Sequence, residues 1–203
     1  MLLITLRQSW TDYLKYGKRL FFKKKSCIFQ QGHTGTGFYY IYKGIVKIIS
    51  NNLEEGKRIL DIVGPGVIAG EADHLPYYCS AVCHTDSVVY YFSEQDYHNL
   101  IQRHPEVTIL FAESLILKEK LLLNNINITS TSTEYQIAQS LLYLMNSLES
   151  KEINLTQQEL SCYTGLTRIT IYKILKIWSS EGIISIKNRK IYIVDPEALK
   201  ARL

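Results

Sequence analysis

The sequence predicts an α+β protein in which an antiparallel β-domain is followed by helices and then by a helix-turn-helix with a basic hairpin. Two observations lead to this prediction. Between Leu20 and Phe92, short runs rich in Ile, Val, Tyr and Phe alternate with glycine-containing breaks, which is typical of an antiparallel barrel or jelly roll. After Phe92, apolar residues recur at helical spacing, and Gly165 separates two short helices.

Length and composition fit one large folded domain or two modest ones. The chain has 203 residues, of which 46% are hydrophobic and 21% charged, with a net charge of +4. It contains no unbroken apolar run of about 18 residues and no charged-then-apolar signal segment, so we expect a cytoplasmic protein without membrane contact. Four scattered cysteines do not form a disulfide framework and suit a reducing compartment.

The first part of the chain predicts an arm followed by short strands. Residues 1–20 have roughly helical spacing and predict a short helix or arm in which Trp10, Tyr13 and Leu14 pack against other residues. The strand candidates are Cys27–Gln30, Phe38–Tyr42, Ile45–Ile49, Arg58–Val63 and Val88–Phe92. Gly32, Gly35 and Gly37 follow a strand but precede no helix, so they are interpreted as turn residues and not as a phosphate-binding loop.

A short helix capped near Ser93 runs to about Arg103, and Pro105 opens a longer apolar helix that extends to Ile128. Two heptad series in this longer helix favour pairing with the same helix of a second copy. The series are Val107, Ser114 and Leu121, and Leu110, Leu117 and Asn124. The alternative is a helix that packs only on its own β-domain.

The polar segment Thr129–Thr133 predicts a hinge. The expected domains are therefore an effector-sensing β-barrel with an N-terminal arm (1–104), a dimerisation helix and hinge (105–130) and a winged helix-turn-helix (131–203). An amphipathic helix over Glu134–Leu148 would support the last of these.

Local signals define the helix-turn-helix. Thr156 and Glu159 have capping-box spacing, Gly165 stands where a left-handed residue would close the turn, and Thr167 offers a second N-cap. Ile171, Ile174, Leu175 and Trp178 form one apolar stripe on the second helix. Two short strands, Ile183–Ile186 and Lys190–Val194, follow as a hairpin with a basic tip.

The opposite face of the second helix and the hairpin tip are rich in basic and hydroxyl residues. Between Gly165 and Lys190 the chain carries six Lys or Arg residues and one Glu, which concentrates positive charge where phosphate contacts are needed. The candidate DNA-binding residues are Thr156, Thr167, Arg168, Ile169, Thr170, Tyr172, Lys173, Lys176, Lys187, Arg189 and Lys190. The alternative is a helical hairpin whose charges only face solvent.

With its predicted elements in this order (β-domain, long helix, hinge, helix-turn-helix and basic hairpin), the whole chain resembles the cyclic-AMP receptor protein/FNR (Crp/Fnr) family of bacterial transcription regulators. Lys25–Ile49 is similar to the family's barrel signature, and Gly64–Gly66 followed by Gly70-Glu71 is similar to the start of its phosphate-binding cassette. Ile137–Leu142 and Leu155–Ile184 resemble its DNA-binding domain. The resemblance implies a cyclic-nucleotide-binding-like jelly roll, a dimerisation helix and a winged helix-turn-helix.

Departures from the family pattern argue against cyclic AMP as the effector. Members that bind cyclic nucleotides carry an Arg-Ser-Ala run whose Arg pairs with the cyclic phosphate, whereas the run here is Cys79-Ser80-Ala81. A thiol cannot replace that charge-assisted contact. The Thr-Ser pair that contacts adenine in the family corresponds to Leu122-Leu123. Residues 1–26 also lack the clustered cysteines that bind an iron–sulfur cluster in the FNR branch, so we expect no cofactor.

The remaining residues of the pocket region are mainly aromatic and apolar. They favour either a small aromatic or apolar effector or a cavity that is filled by its own side chains. The candidate pocket comprises Gly70, Glu71, Tyr77, Tyr78, Cys79, Ser80, Leu122 and Leu123. Cys79 and Cys83 are also candidates for thiol-redox sensing; no second ligand cluster accompanies them, so the sequence predicts no metal site.

On the recognition helix, Arg168 matches the family position that contacts guanine. Ile169 stands where Glu is usual, and Lys173 where a second Arg is usual, so the resemblance implies a palindromic DNA site that departs from the common half-site. We expect a homodimeric transcription regulator that contacts RNA polymerase and is controlled by a small effector other than a cyclic nucleotide, or works without ligand.

Three alternative functions can be compared with this prediction: an enzyme, a thiol-redox-sensing regulator and a protein-interaction module. The sequence contains no nucleophile–base pair and no paired carboxylates, so an enzyme is not expected. A thiol-redox-sensing regulator remains compatible with the cysteine pattern. A protein-interaction module without specific DNA binding remains compatible with the helix-turn-helix.

Overall fold

Two antiparallel four-stranded sheets form the first part of the molecule. The computed structural model describes residues 10–52, 56–70, 74–128 and 131–203, and the chain divides into two compact units between Leu121 and Leu122. The strands of the first unit are β1 (Lys18–Phe22), β2 (Cys27–Phe29), β3 (Gly37–Lys43), β4 (Val46–Asn52), β5 (Gly56–Val63), β6 (Ile68–Ala69), β7 (Ser80–Cys83) and β8 (Ser87–Ser93). The three-part domain division predicted from the sequence stays a prediction.

The strand order is β1-β8-β3-β6 in one sheet and β2-β7-β4-β5 in the other. The predicted α+β class and jelly-roll architecture are therefore confirmed. No hydrogen-bonded ladder joins the two sheets among the described strands, so these strands do not form a closed barrel. β1, β6 and β7 were not among the strand candidates; β6 and β7 span two and four residues, which is too short for a clear alternation.

Period-two alternation places successive side chains of β3 in two different apolar clusters. Ile41 belongs to a cluster between the sheets, which also contains Phe29 and Tyr77. Tyr39, two positions earlier on the same face of β3, packs against this cluster. Phe38 and Tyr40 point to the other face of their sheet, where a second cluster includes helical residues. Gly37 lies within β3 and not in a turn as predicted: a Cβ there would lie 2.2 Å from the Phe92 carbonyl oxygen.

The N-terminal arm packs into the second cluster. Trp10 and Leu14 are almost completely buried there, and Tyr13 is partly buried beside them, which confirms the predicted packing role. The described part of the arm ends in a 3₁₀ turn at Leu14–Tyr16, and β1 begins at Lys18; residues 1–9 lie outside the described residues.

Helices α1 (Glu94–Arg103) and α2 (Val107–Ile128) follow the sheets, as predicted. α1 begins with a capping box between Ser93 and Asp96. None of the described helices is long and apolar enough to span a bilayer.

The buried face of α2 includes residues of the predicted dimer seam. Val107 is fully buried in the second cluster with Leu110 packed beside it, and Ser114 is 8% exposed. The Trp10 indole Nε1 donates to the Ser114 Oγ at 3.4 Å. Val107 and Ser114 therefore offer no surface to a second helix, which corrects the role assigned to them. The side chains of Leu117, Leu121 and Asn124 lie outside the described residues.

The second unit contains the predicted helix-turn-helix and hairpin. Its elements are α3 (Thr133–Ser147), β9 (Glu152–Ile153), α4 (Gln157–Thr164), α5 (Arg168–Ser180), β10 (Ile184–Lys187), β11 (Lys190–Ile193) and α6 (Pro196–Lys200). The strands form one antiparallel sheet in the order β10-β11-β9. β9 and α6 were not predicted, because segments of two and five residues carry little periodicity.

Candidate nucleic-acid interface and effector site

Side-chain caps fix the ends of α4 and the start of α5. Thr156 and Glu159 form the predicted capping box: the Glu159 N–H donates to the Thr156 Oγ1 at 3.1 Å, and the Thr156 N–H donates to the Glu159 carboxylate at 2.9 Å. Gly165 closes α4 in the left-handed conformation (φ 76°), and Thr167 caps α5. These caps pair backbone groups at both ends of α4 and at the start of α5, so local residues define where the two helices begin and where α4 ends.

Helix α5 has one buried and one exposed face. Ile171, Ile174, Leu175 and Trp178 are buried, as the apolar stripe predicts. The predicted contact residues on the other face are Arg168, Ile169, Tyr172, Lys173 and Lys176, all of them exposed. Thr170 is half-buried, and its hydroxyl lies 2.9 Å from that of Thr167.

The composition of this face is unusual for a solvent-facing surface. Ile169 is 68% exposed and Tyr172 is 51% exposed, so two large apolar side chains stand out between basic ones. The Lys176 Nζ lies 6.0 Å from the Tyr172 ring centroid. Apolar groups beside cations match the floor of a DNA groove, where base edges and thymine methyl groups lie between two phosphate chains.

A groove of about 360 Å³ lies at the C-terminal half of α5. Tyr172 and Lys176 line it together with residues that the sequence reading did not select, namely Gln157, Ser179, Ser180 and Ile186. Gln157 is the first residue of α4 and directly follows the cap at Thr156. This position could have been selected from the sequence, because the N-terminus of a helix is a favourable place for a phosphate. Ser179 and Ser180 follow Lys176 by three and four positions on the same face of α5, so helical spacing could have identified them, whereas Ile186 comes from β10.

The hairpin tip has the geometry of a two-residue turn. Lys187 pairs with Lys190, and Asn188 and Arg189 between them have φ values of 51° and 63°. Positive φ at both central positions is the type I′ pattern, which matches the strand twist. Lys187 and Arg189 are exposed, whereas the Lys190 Nζ donates to the Glu152 carboxylate of β9. This ion pair raises the pKa of Lys190 and lowers that of Glu152.

Tyr77 and Tyr78, two of the candidate effector residues, lie in different environments. Tyr77 is 6% exposed and belongs to the cluster between the sheets, where its ring lies 4.4 Å from that of Phe29. Its hydroxyl donates to the Gly37 carbonyl at 3.3 Å. Tyr78, by contrast, is 82% exposed.

The other candidates of this set have structural contacts or lie outside the described residues. The Ser80 Oγ accepts from the Gln31 N–H at 2.9 Å. A Cβ at Gly70 (φ +84°) would lie 3.3 Å from the Tyr39 ring and 3.4 Å from the Phe29 ring. Cys79 packs against the cluster between the sheets. Glu71 and the side chains of Leu122 and Leu123 lie outside the described residues.

Two of the described cysteines have surroundings that disfavour the thiolate. Cys83 is 1% exposed, and burial raises its pKa; burial also raises the pKa of Cys27 on the neighbouring strand β2. The thiolate is the reactive form of cysteine, and the buried Cys83 lacks the accessible environment of a redox sensor, whereas Cys27 is exposed. Within the described ranges, His, Cys, Asp and Glu form no cluster of three that could hold a metal ion.

Comparison with known proteins identifies two matching families. Residues 19–104 match the Cyclic nucleotide-binding domain family, and residues 136–202 match the Crp-like helix-turn-helix domain family. The chain is 27% identical over 177 residues to the Cyclic AMP receptor protein of Thermus thermophilus, an alignment that covers 84% of this chain and 81% of that protein.

Solved structures of low sequence identity have the same fold. FixK2 from Bradyrhizobium japonicum superposes with a TM-score of 0.78 at 16% identity, covering 91% of this chain and 96% of that chain. A transcriptional regulator of the CRP/FNR family from Thermus thermophilus superposes with a TM-score of 0.76 at 22% identity, covering 91% of this chain and 97% of that chain.

Proposed function

Because this chain belongs to the Crp/Fnr family of transcription regulators, we propose that it is a homodimer that binds a palindromic DNA site and works without cyclic AMP. The observation that carries the proposal is the exposed face of α5, where Arg168, Ile169 and Tyr172 project from a helix whose opposite face is buried. A recognition helix inserts such a face into the major groove, with its N-terminal residues at base edges.

The proposed roles on this surface follow from side-chain chemistry. Arg168 makes a bidentate contact to guanine, and Ile169 contacts a thymine methyl group. Lys173, Lys187 and Arg189 contact phosphates and position the unit without reading sequence. Lys190 contributes less, because its charge is shared with Glu152.

The proposed dimer forms through the face of α2 that the first unit leaves exposed. Ile109 is 64% exposed and Ile116 is 47% exposed, and exposed Ala112 lies between them. The spacing of 109, 112 and 116 is that of successive core positions in a coiled coil. This seam lies on the side of the helix opposite Val107 and Ser114 of the series predicted from the sequence.

The proposal excludes cyclic AMP although the curated relatives include proteins named as cyclic-AMP-activated regulators. Cys79 offers no cation to a cyclic phosphate, and the ring of Tyr77 packs between the sheets against Phe29. Because members of this family regulate transcription, we also propose that the protein contacts RNA polymerase and lies in the cytoplasm.

Selection of DNA from a random pool by the purified protein, with and without reductant, tests the proposal. We expect an enriched palindrome in the ligand-free protein under both conditions. Enrichment under only one redox condition would contradict redox-independent DNA binding and favour thiol sensing. Binding that is insensitive to salt and enriches no sequence would contradict the DNA-binding function and favour a protein-interaction module.

A further inference from the structure

Helix α5 offers an unusually narrow set of side chains for contact with DNA bases. From Arg168 to Ser180 it contains no Asn, Gln, Asp or Glu. Asn and Gln are the side chains that pair with adenine in the major groove, and Glu and Asp accept from the cytosine amino group. Arg and Lys pair with guanine, and apolar groups contact the methyl group of thymine. The composition of α5 therefore favours direct contact with guanine and with methyl groups.

The hydroxyl groups at the start of α5 are directed to each other. The Thr170 N–H donates to the Thr167 Oγ1 at 3.2 Å, and the two hydroxyl oxygens lie 2.9 Å apart. Thr170 is half-buried. The exposed side chains among the first five positions of the helix are those of Arg168, Ile169 and Tyr172. A recognition helix presents its N-terminal residues to the base edges, so these three side chains are the candidates for base contact.

Ile169 lies at the middle of the exposed face of α5. It precedes the buried Trp178 by nine positions, which is about 2.5 helical turns, so the two side chains leave opposite sides of the helix. The Ile169 side chain is 68% exposed. When the buried stripe of α5 faces the rest of its unit, the Ile169 side chain is directed to the floor of the DNA groove.

Tyr172 extends this apolar surface along the helix. It follows Ile169 by three positions, a spacing that places two Cβ atoms on one face about 5–6 Å apart. The Tyr172 ring is 51% exposed, and the Lys176 Nζ lies 6.0 Å from its centroid. Neighbouring base pairs are stacked about 3.4 Å apart. The side chains of Ile169 and Tyr172 can therefore contact two neighbouring base pairs at the same time.

We propose that α5 selects DNA through the methyl groups at C5 of pyrimidines, which Ile169 and Tyr172 contact on neighbouring base pairs beside the guanine bound by Arg168. This inference rests on the proposed function and names the class of DNA that it recognises. Thymine carries a methyl group at C5, and so does 5-methylcytosine. The Tyr172 hydroxyl both donates and accepts, which suits the O4 of thymine and the N4 amino group of 5-methylcytosine. The same surface therefore accepts either base.

Modified DNA tests the contact with the methyl groups. In the site that the full chain selects from a random pool, each thymine of the half-site is replaced in turn by deoxyuridine, which lacks only the methyl group. We expect the affinity to fall about fourfold at each of two neighbouring base pairs and to stay unchanged at the others. At the same two positions, 5-methylcytosine should bind about fourfold more tightly than cytosine. Equal affinity for thymine and deoxyuridine at every position would overturn the proposal.

Substitutions on α5 assign the two contacts. Ile169→Ala and Tyr172→Ala should each abolish the effect of deoxyuridine at one of the two positions and preserve it at the other. Ile177→Ala is the matched control, because Ile177 is 49% exposed on the same helix but lies near its C-terminal end. It should keep both effects. If Ile169→Ala and Tyr172→Ala kept both effects as well, the assigned contacts would be wrong and the proposal overturned.

The selection experiment separates this inference from the proposed function. An enriched site whose affinity is unchanged by deoxyuridine would overturn the methyl contacts and leave sequence-specific DNA binding supported. A pool without any enriched site would overturn both.

Discussion

The Lys190 ammonium group at the wing tip donates to the Glu152 carboxylate, which lies on the neighbouring strand β9. The ion pair joins the hairpin to β9, a strand that the sequence pattern did not predict. It also means that one of the basic residues at the tip has its charge partly neutralised within the protein.

Replacing Glu152 with Gln is expected to strengthen DNA binding. The substitution keeps a hydrogen-bond acceptor for Lys190 but removes the competing negative charge, so the ammonium group becomes available to a phosphate. We expect a several-fold gain in affinity and a steeper dependence of log K on log salt, by up to about 0.9 for one added phosphate contact. Glu197→Gln is the matched control, since Glu197 pairs with Lys200 on α6. An unchanged slope for Glu152→Gln would place Lys190 away from phosphate.

The same ion pair makes a contribution to stability that depends on pH. The hydrogen bond from Lys190 lowers the pKa of Glu152 from its ordinary value of 4.5. A group whose pKa is lower in the folded state contributes stability above its unfolded pKa, and this contribution disappears as pH falls through the folded value. The free energy of unfolding should therefore fall less below pH 4.5 in Glu152→Gln than in the parent. Urea unfolding between pH 7 and 3 measures this, and parallel curves would contradict it; the effect is small because both groups face solvent.

Arg168→Ala should relax specificity at one position of the DNA half-site. Loss of a bidentate contact to guanine costs about 1–3 kcal/mol at that base pair and leaves the other positions unchanged. Competition binding with single-base variants of the selected site measures the effect. Lys187→Ala is the contrasting variant: it should weaken all sequences equally and reduce the salt slope by about 0.9. If Arg168→Ala weakened the affinity for all sequences equally, Arg168 would contact a phosphate and not a base.

Gly165→Ala should destabilise the second unit through the backbone alone. Gly165 has φ +76°, and a Cβ built there meets no atom within 4 Å, so no steric contact contributes. The left-handed conformation costs about 1–2 kcal/mol for a residue with a Cβ. Gly165→Asn should cost less, because Asn tolerates this conformation. Thermal unfolding of both variants tests the order, and equal losses would point to a cause other than φ.

Ile116→Glu should weaken the dimer without unfolding the first unit. The side chain is 47% exposed in the single chain, and a carboxylate at a helix seam would have to be buried on association. Val107→Ala should have the opposite effect, a loss of roughly 2 kcal/mol in stability with the dimer retained, because Val107 is fully buried within its own unit. Sedimentation velocity over a range of protein concentrations, combined with urea unfolding, distinguishes the two. A monomeric Val107→Ala variant that unfolds normally would restore the original seam.

The helix-turn-helix could be predicted from sequence because its signals are local. The cap of Thr156 by Glu159, the left-handed Gly165 and the second cap at Thr167 involve residues within a few positions of one another. The buried stripe through Ile171 and Trp178 follows from a single helical period. Each of these predictions was confirmed, since no distant part of the chain is needed to decide it.

What the sequence determined by itself was the order of elements, the fold class and the chemical character of the recognition surface. The tertiary structure decided which face of α2 is free, because that depends on Trp10, whose indole reaches Ser114 from more than 100 positions away. It also decided that Tyr77 packs inside the sheets and that Phe38, Tyr97 and Phe111 meet in a groove outside them. A helix rich in Leu and Ile on every side has no preferred face of its own; burial against a partner that is distant in sequence selects one.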